Sequence, residues 1–264
     1  MKLDSSFTAL ITGANGGIGQ AIALALSRTG AQVIVSGRRA EALAGVASAA
    51  RARVIVADLE KREDVTRLGD EVGAIDVLVA NAALPASGPA LEFTEEQIER
   101  ALDVNLRAPM MLCRRLAPGM VERRRGQIVF VSSIAGLVAS MGSSIYSATK
   151  FGMRGFALGL REDLRGTGVG VTCIYPGFIR DAGMFAQAGV ALPAGMGTRS
   201  PEDVAAAVLQ AVRTNPAELR VAAFEQRLGA FLAALSPALV GRVQAALGAS
   251  TLSRAISEGQ RHKR

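Results

Sequence analysis

The stretch FTALITGANGGIG, residues 7–19, decides the fold. Residues 7–12 are mainly apolar, which predicts a strand buried on both faces. The turn TGANGGIG (12–19) follows, and an apolar helical pattern runs from near 17 to 29. Glycine lets the backbone approach a pyrophosphate closely, and the helix N-terminus offers free N–H donors to it. This order predicts a dinucleotide site in a βαβ unit. The alternative is a glycine turn that joins strand to helix without a ligand.

Further apolar runs of strand length follow, with helical patterns between them, for example over 94–105, 107–122 and 147–165. The runs are QVIVS (32–36), VIVA (54–57), DVLVA (76–80), QIVFVS (127–132), GVTCIY (170–175) and LRVAA (219–223). Strands that alternate with helices form parallel sheets with right-handed crossovers. We therefore predict an α/β, Rossmann-type doubly wound parallel sheet of about seven strands with flanking helices. No linker or repeat divides the chain, so residues 1–264 are predicted to form a single domain.

Composition excludes several classes of function. The chain has 264 residues, half of them apolar, and a net charge of +7 without a basic block interleaved with aromatics, which argues against nucleic-acid binding. His262 is the single histidine, so a histidine triad and a multi-histidine metal site are excluded, and no metal is expected. Cys113 and Cys173 lie in apolar contexts and are predicted to be buried, unpaired side chains. No signal peptide or membrane span is recognised, so we expect a soluble, cytoplasmic protein.

The second predicted strand ends in Ser36-Gly37-Arg38-Arg39. A site for NAD(H) usually carries an acidic residue here, which holds the ribose 2′-hydroxyl. Two arginines stand there instead, and a guanidinium matches a 2′-phosphate in charge and geometry. This favours NADP(H) over NAD(H), with Arg38 as the main contact. The alternative is that both arginines lie on a surface loop.

The stretch IYSATKFG (145–152) places a tyrosine four residues before a lysine. The chain has two tyrosines and four lysines against 26 arginines, so the choice of Tyr146 and Lys150 is informative. Residues at this spacing share one face of a helix. A nearby ammonium lowers the pKa of a phenol, which makes it a better proton donor at neutral pH. We therefore predict a proton donor whose pKa Lys150 lowers; an ordinary surface pair is the alternative.

Polar residues stand where neighbouring strands end. Ser132 and Ser133 follow one strand, and Asn81 follows another. Ligands of parallel sheets gather at the carboxyl ends of the strands, so these side chains are expected near one site. A serine hydroxyl there can bond a substrate carbonyl. Asn105 lies inside a predicted helix, where asparagine is mildly unfavourable.

Together these residues resemble the short-chain dehydrogenase/reductase family over about residues 7–225. The resemblance is carried by the ordered motifs TGANGGIG (12–19), DLE (58–60), ANAA (80–83), VNL (104–106), SSIAG (132–136), YSATK (146–150) and YPGFI (175–179). It implies hydride transfer between a nicotinamide cofactor and an alcohol or carbonyl substrate. It also implies a homo-oligomer, in which helices at 94–122 and 147–165 build a dimer contact.

The resemblance also assigns roles to residues. Tyr146 is the expected general acid/base, and Lys150 binds the nicotinamide ribose. Ser133, rather than Ser132, polarises the carbonyl, since thirteen residues separate it from Tyr146. Asn105 holds a water in a proton relay. The remaining cofactor contacts are expected from Gly13, Asn15, Gly17, Ile18, Gly19, Arg38, Arg39, Asp58, Leu59, Asn81, Pro176, Gly177 and Ile179.

The chain departs from the family pattern at three places. Ala83 replaces a glycine near the cofactor, a change that we expect to be tolerated. Arg180 replaces a threonine whose hydroxyl would reach the carboxamide. The C-terminal segment 225–264 has a different sequence, with apolar residues at near-helical spacing, a break at Pro237 and a basic tail (Arg261, Lys263, Arg264). These apolar residues are Leu228, Phe231, Leu232, Leu235, Leu239, Val243 and Leu247.

We expect two short amphipathic helices in this extension. Three roles stay open for them: packing on the domain, roofing a substrate cleft, or docking on a membrane surface. Residues 181–200 are expected to form a substrate loop that closes on the ligand. Its Met184, Phe185, Leu192 and Met196 favour an apolar substrate, although methionine and phenylalanine also fill ordinary cores.

The sequence thus favours an NADP(H)-dependent oxidoreductase for a small carbonyl or alcohol substrate that is apolar. One subtype is a 3-oxoacyl thioester reductase, in which basic residues near the cleft would meet an acidic carrier. The alternative of a different class is a catalytically silent NADP(H)-binding sensor or scaffold.

Overall fold

The computed structural model describes residues 4–190, 192, 196–238, 241 and 249–260. Its centre is a seven-stranded sheet in which all neighbouring strands are parallel, in the order β3-β2-β1-β4-β5-β6-β7. The strands are β1 (Thr8–Thr12), β2 (Gln32–Gly37), β3 (Arg53–Val56), β4 (Val77–Ala80), β5 (Gly126–Val131), β6 (Val169–Pro176) and β7 (Glu218–Val221). This confirms the predicted doubly wound sheet.

Helices follow the strands. They are α1 (Gly17–Ser27), α2 (Ala40–Ala50), α3 (Arg62–Glu71), α4 (Glu95–Leu102), α5 (Ala108–Glu122), α6 (Ser144–Asp163), α7 (Gly183–Ala188), α8 (Pro201–Thr214), α9 (Phe224–Leu235) and α10 (Ala249–Gln260). A π-helical turn, Asp103–Arg107, joins α4 to α5. The sequence signals several helix starts. Thr94 caps α4 in a capping box with Gln97, and Ser200 caps α8 in a capping box with Asp203.

Two apolar cores lie on opposite faces of the sheet. One includes Leu26 of α1, Leu43 of α2 and Val208 of α8. The other includes Leu68 of α3 and Leu112 of α5, together with residues of α6. Every residue of the central strands β5 and β6 is buried, which explains why their sequences are continuous apolar runs.

The strand order reverses between β1 and β4, so the loops that leave the carboxyl ends of these strands diverge and open a crevice. The glycine turn follows β1, Asn81 follows β4, and Ser132 and Ser133 follow β5. These segments are far apart in sequence, and the topology brings them to one edge of the sheet.

The C-terminal extension differs in part from its prediction. Helix α9 ends two residues before Pro237, which fits the predicted break. The later members of the apolar pattern (Leu239, Val243 and Leu247) and the basic tail with His262 lie outside the described residues. Helix α10 is a further element that the apolar pattern did not predict. None of the helices in the described ranges has both the length and the hydropathy that crossing a bilayer requires.

Candidate active site

A cleft of about 1210 Å³ opens at the carboxyl edge of the sheet. It is lined by every predicted site residue except Arg39 and Asn105. These lining residues are Gly13, Asn15, Gly17, Ile18, Gly19, Arg38, Asp58, Leu59, Asn81, Ser133, Tyr146, Lys150, Pro176, Gly177, Ile179, Met184 and Phe185. The cleft therefore joins the predicted phosphate turn to the predicted catalytic side chains.

The glycine turn needs its glycines. Gly13 has φ +66°, and a Cβ there would lie 2.7 Å from the Cα of Ala82. A Cβ at Gly19 would lie 2.5 Å from the carbonyl oxygen of Gly13. These distances are shorter than any real contact, so the close turn and its approach to the β4 loop exclude side chains. The turn leaves room for a pyrophosphate at the N-terminus of α1.

Asn81 braces the turn from the neighbouring strand. Its Nδ2 donates to the carbonyl oxygens of Thr12 (3.0 Å) and Gly13 (3.2 Å). The hydroxyl of Thr12 accepts from the backbone N–H groups of Asn81 (3.1 Å) and Ala82 (3.2 Å). These bonds lock the ends of β1 and β4 together beside the glycine turn.

The end of β2 supplies a basic group to the cleft. Arg38 is exposed and borders the cleft, whereas Arg39 is the N-cap residue of α2 and lies outside the lining. The buried hydroxyl of Ser36 also borders the cleft, and it has no hydrogen-bond partner within the described residues. The cleft lining therefore includes Arg38 and does not include Arg39, and the role of Arg38 in cofactor binding stays a prediction.

Asp58 and Leu59 close the same end. The carboxylate of Asp58 accepts from the backbone N–H of Glu60 (3.2 Å), and its own N–H donates to Asp64 (2.8 Å). Leu59 is buried in one of the two cores. Both residues border the cleft just beyond the end of β3.

Ser133 and Tyr146 both line the cleft, and the hydroxyl of Ser133 acts to lower the pKa of Tyr146. Ser133 also accepts from the backbone N–H of Ala135 (3.2 Å), which fixes its rotamer. Ser132 is buried instead, and its hydroxyl donates to the carbonyl oxygen of Lys150 (3.3 Å). The geometry thus favours Ser133 over Ser132 as the residue that meets a substrate carbonyl.

The expected lowering of the Tyr146 pKa is not found. Burial raises the pKa of Tyr146 to about 12, and the hydrogen bond from Ser133 lowers it only in part. The ammonium of Lys150 lies 5.5 Å from the centre of the tyrosine ring and donates to the carbonyl oxygen of Val131 (3.3 Å). Lys150 is 1% exposed, and burial lowers its pKa to about 8. Desolvation is therefore the largest cause of the raised pKa of Tyr146, and it disfavours the charged phenolate.

Asn105 lies in the π-helical turn, behind the cleft. Its Oδ1 accepts from the N–H of Leu84 (2.7 Å), and its Nδ2 donates to the carbonyl oxygen of Leu84 (3.0 Å) and to the hydroxyl of Thr149 (3.4 Å). These bonds tie the β4 loop to the residue before Lys150, so the side chain positions α6. They also explain a polar residue at this helical position. A water held by Asn105 stays a prediction.

The segment after β6 is held by a residue that the sequence did not single out. The Oε1 of Gln226 accepts from the N–H of Phe178 (3.1 Å), and its Nε2 donates to the carbonyl oxygen of Gly197 (2.7 Å). A Cβ at Gly177 would lie 2.0 Å from this Oε1, so a larger residue there would displace the Gln226 side chain. Helix α9 therefore fastens both ends of the predicted substrate loop.

Arg180 leaves the cleft. It is exposed and lies 3.5 Å from the carboxylate of Asp181, which has φ +63°. The chain then turns back, and Ala182 packs on the glycine turn so closely that a Cβ at Gly17 would lie 2.5 Å from its Cβ. Met184 and Phe185 of α7 line the cleft, and the rings of Phe178 and Phe185 are 4.8 Å apart. Arg180 thus lies outside the cleft lining, and Met184 and Phe185 form an apolar wall of the cleft.

Comparison with known proteins agrees with this geometry. The model of the short chain dehydrogenase family matches residues 7–191. The chain belongs to the short-chain dehydrogenase family. It is therefore an NAD(P)-dependent oxidoreductase of the kind that acts on CH–OH and C=O groups.

Individual relatives show how far this similarity extends. An uncharacterized oxidoreductase from Myxococcus xanthus is 40% identical over 182 residues, covering 66% of this chain and 72% of the relative. Ketoacyl reductase HetN from Nostoc sp. is 34% identical over 223 residues, covering 81% and 78%. A short-chain dehydrogenase from Sphingobium yanoikuyae, solved in complex with NADPH, is 26% identical with a TM-score of 0.77, covering 88% of this chain and 95% of that one.

In this short-chain dehydrogenase, the C-terminal helices line the cleft as well as packing on the domain. Helix α9 contributes Gln226, Gly229, Ala230 and Leu232 among others, and α10 contributes Ser253, Ile256, Ser257 and Gln260. The Nε2 of Gln260 donates to the carbonyl oxygen of Met184 (2.9 Å), which joins α10 to α7. Packing and roofing, two of the three expected roles, therefore occur together.

Sequence analysis named Leu232 and a possible roof, but it did not single out the other roof residues, because they lie beyond the family motifs and carry no chemical signature. Thr12 was also missed, although a hydroxyl at the end of a buried strand is a recognisable signal. Gln226 could not be recognised in the same way, because a single glutamine in a helical segment does not indicate that its side chain bonds to Phe178 and Gly197.

Proposed function

We propose that this short-chain dehydrogenase is an NADP(H)-dependent carbonyl reductase, or alcohol dehydrogenase in the reverse direction, for apolar substrates. The observation that carries the proposal is that Ser133 and Tyr146 line one cleft beside the buried ammonium of Lys150. These side chains share one cleft with the glycine turn, where a side chain at Gly13 or Gly19 would clash with the neighbouring backbone.

The residues present fit the dinucleotide. The cradle formed by Gly13, Gly17 and Gly19 suits a pyrophosphate, and the unpartnered hydroxyl of Ser36 and the guanidinium of Arg38 suit a phosphorylated ribose. Asp58 and Leu59 would border the adenine, and Lys150 and Ile179 the nicotinamide side. When bound, the cofactor supplies or accepts the hydride.

Side chains of the protein transfer the proton and stabilise the charges that develop. Because its pKa is about 12, Tyr146 is protonated at neutral pH and donates its proton to the carbonyl oxygen of the substrate. Ser133 donates a hydrogen bond to the same oxygen as negative charge develops there. The ammonium of Lys150 stabilises the phenolate that remains. This arrangement suits reduction more directly than oxidation.

The preference for NADP(H) rests on Arg38. No acidic residue follows Val35 at the end of β2, and the NADPH complex of the Sphingobium relative supports the same cofactor. Titration of the protein with NADPH and NADH, followed through the fluorescence of the reduced nicotinamide, tests this preference. We expect tighter binding of NADPH; equal binding of both would contradict it.

The substrate end of the cleft is apolar. Met184, Phe185 and Met196 border it from the loop side, and Ile134 and Val138 from the β5 side. Closure of residues 181–200 on the ligand remains our prediction. If NADPH with substrate does not slow proteolysis of this loop, closure is wrong.

A 3-oxoacyl thioester is the second candidate substrate, because the chain is 34% identical to a ketoacyl reductase. Wild-type protein assayed with acetoacetyl thioesters and with simple ketones separates the two candidates. Faster turnover of the thioesters would favour this subtype. No turnover of any carbonyl, together with normal NADPH binding, would leave the silent sensor as the remaining function.

We also propose a homo-oligomer in a cytoplasmic setting. Exposed apolar side chains on the helical face formed by α4, α5 and α6 support it: Leu102, Met111 and Phe151 are each about 40% exposed. Light scattering of the purified protein measures the oligomeric state; a monomer at micromolar concentration would contradict this part of the proposal.

A further inference from the structure

Helix α9 carries an exposed apolar face. Phe224, Leu228, Phe231 and Leu235 follow one another at spacings of four, three and four residues, so they lie on one side of the helix. Phe224 is 74% exposed, Phe231 56% and Leu235 70%. We call these four residues the outer face of α9.

The opposite side of α9 is the side that packs on the protein. There the buried residues are the small Ala230 and Ala233, and Gln226 makes its hydrogen bonds to Phe178 and Gly197. The helix thus places its small residues inward and its large apolar residues outward. Such an arrangement is costly in water, and contiguous apolar surface of this kind marks an interaction site.

The sequence that contains the outer face carries a net positive charge. Arg227 is exposed beside it on the same helix, and Arg254 is exposed on α10. Residues 224–264 contain six Lys and Arg residues (Arg227, Arg242, Arg254, Arg261, Lys263, Arg264) and two acidic residues (Glu225 and Glu258), a net charge of +4 out of +7 for the chain. The carboxylate of Glu225 is occupied by the N–H of Gly197 (2.7 Å). An apolar face flanked by cations complements an anionic lipid surface.

The outer face is continuous with the mouth of the cleft. Leu232 lies next to Phe231 on α9; it is 44% exposed and also lines the cleft. Met141 is 62% exposed and lines the cleft from the segment before α6. Apolar surface therefore runs from the outer face of α9 into the apolar substrate end.

We propose that the outer face of α9 docks on the surface of an anionic membrane and that apolar carbonyl substrates enter the cleft from the lipid. The docking stands on the exposed face and its charge. The entry of substrate rests on the proposed carbonyl chemistry.

Flotation with two kinds of vesicle tests the docking. One kind contains phosphatidylcholine alone, and the other contains phosphatidylcholine with about 30 mol% phosphatidylglycerol. We expect the full chain to float with the anionic vesicles and to be released by high salt. The variant Phe224→Gln/Leu228→Gln/Phe231→Gln is expected to bind these vesicles about tenfold less tightly. None of its three positions lines the cleft.

Two further variants keep the test specific. Leu91→Gln removes an apolar side chain that is fully exposed elsewhere and should leave vesicle binding unchanged. Arg227→Glu reverses one flanking charge and should weaken binding to anionic vesicles while keeping the outer face. NADPH titration of each variant reports whether its nucleotide site is intact.

Absence of wild-type binding to anionic vesicles overturns the proposal. The proposal is also overturned if the triple variant binds anionic vesicles as tightly as wild type does, or if wild type binds both kinds of vesicle equally well. Light scattering can reveal a further contradicting result, namely a dimer that the triple variant disrupts and the other variants do not, in a protein that binds no vesicles. In that case the outer face is an interface between copies of the chain, and the proposal fails. NADPH oxidation with a water-soluble ketone is measured separately, so a failure of the carbonyl chemistry is distinguished from a failure of docking.

Discussion

Tyr146 and Lys150 lie one helical turn apart. Burial raises the pKa of Tyr146 and lowers that of Lys150, so in both cases it disfavours the charged form. The spacing of the pair and the choice of Ser133 over Ser132 could be predicted from the sequence, because both depend on local chain geometry. The direction of the Tyr146 pKa could not, since it depends on how much protein surrounds the phenol. In the folded chain desolvation is the largest cause of the raised pKa.

This arrangement predicts a pH dependence. The pKa of Lys150 is lowered to about 8, so its ammonium loses its proton as the pH rises through that value. The charge that stabilises the phenolate is then lost, and kcat/KM for carbonyl reduction should fall above about pH 8. Rates measured from pH 6 to 10 with a simple ketone check this.

The control for this prediction is Lys150→Arg, because a guanidinium keeps its charge throughout the range. We expect this variant to be slower, since the shape of the head group differs, but to show no decline near pH 8. A wild-type profile that stays level to pH 10 would rule out the role assigned to the ammonium.

Arg38 and Arg39 are adjacent in sequence, yet only Arg38 borders the cleft. Arg38→Gln should weaken the binding of NADPH about tenfold to a hundredfold, because a charge-assisted hydrogen bond contributes about 1.5–3 kcal/mol. The binding of NADH should change little. Arg39→Gln is the matched control, and equal effects of both substitutions would contradict the assignment.

At the scale of elements, the strands were the most predictable part. Continuous apolar runs such as 127–132 are required by burial on both faces, so the sequence contains them whatever the function. The start of α6 at Ser144 and the π-helical turn before α5 were not predicted, because both depend on tertiary contacts. The turn places the side chain of Asn105 against the β4 loop.

The contact between the glycine turn and the loop before α7 gives a prediction for Gly17→Ala. A Cβ at Gly17 would lie 2.5 Å from the Cβ of Ala182, so the loop must shift. We expect trypsin to cut faster, about severalfold, at the exposed Arg180 or Arg199. At Gly16 the nearest atom to a Cβ would be 3.6 Å away, an ordinary contact, so Gly16→Ala is the control. Equal cleavage of both variants would show that Ala182 does not hold the loop on the turn.

At the scale of the whole molecule, the site joins segments from residue 13 to residue 260. The positions near the carboxyl ends of the strands could be predicted, since a doubly wound sheet always gathers them at one edge. The roof was only one of three open roles for the C-terminal segment. Its residues could not be identified, because α9 and α10 lie outside the family motifs and their place is set by contacts such as Gln226 with Gly197 and Gln260 with Met184.

The roof predicts a role for Ile256 of α10 in binding long substrates. Its side chain lines the cleft, so Ile256→Gln should raise the KM for a long-chain ketone about tenfold more than that for a short one, because apolar burial is lost. The control is Arg254→Gln, which changes an exposed residue of the same helix outside the lining. An equal change of KM for both chain lengths would mean that α10 does not contact the substrate.

Tyr146 is proposed to donate the proton, whereas the nucleotide is bound mainly by other residues. The most direct measurement is the kcat/KM of Tyr146→Phe with NADPH and a reducible ketone, alongside its NADPH dissociation constant. We expect the rate to fall by about a thousandfold or more, with NADPH binding changed less than about threefold. A Tyr146→Phe enzyme that reduces the ketone at the wild-type rate would contradict the account.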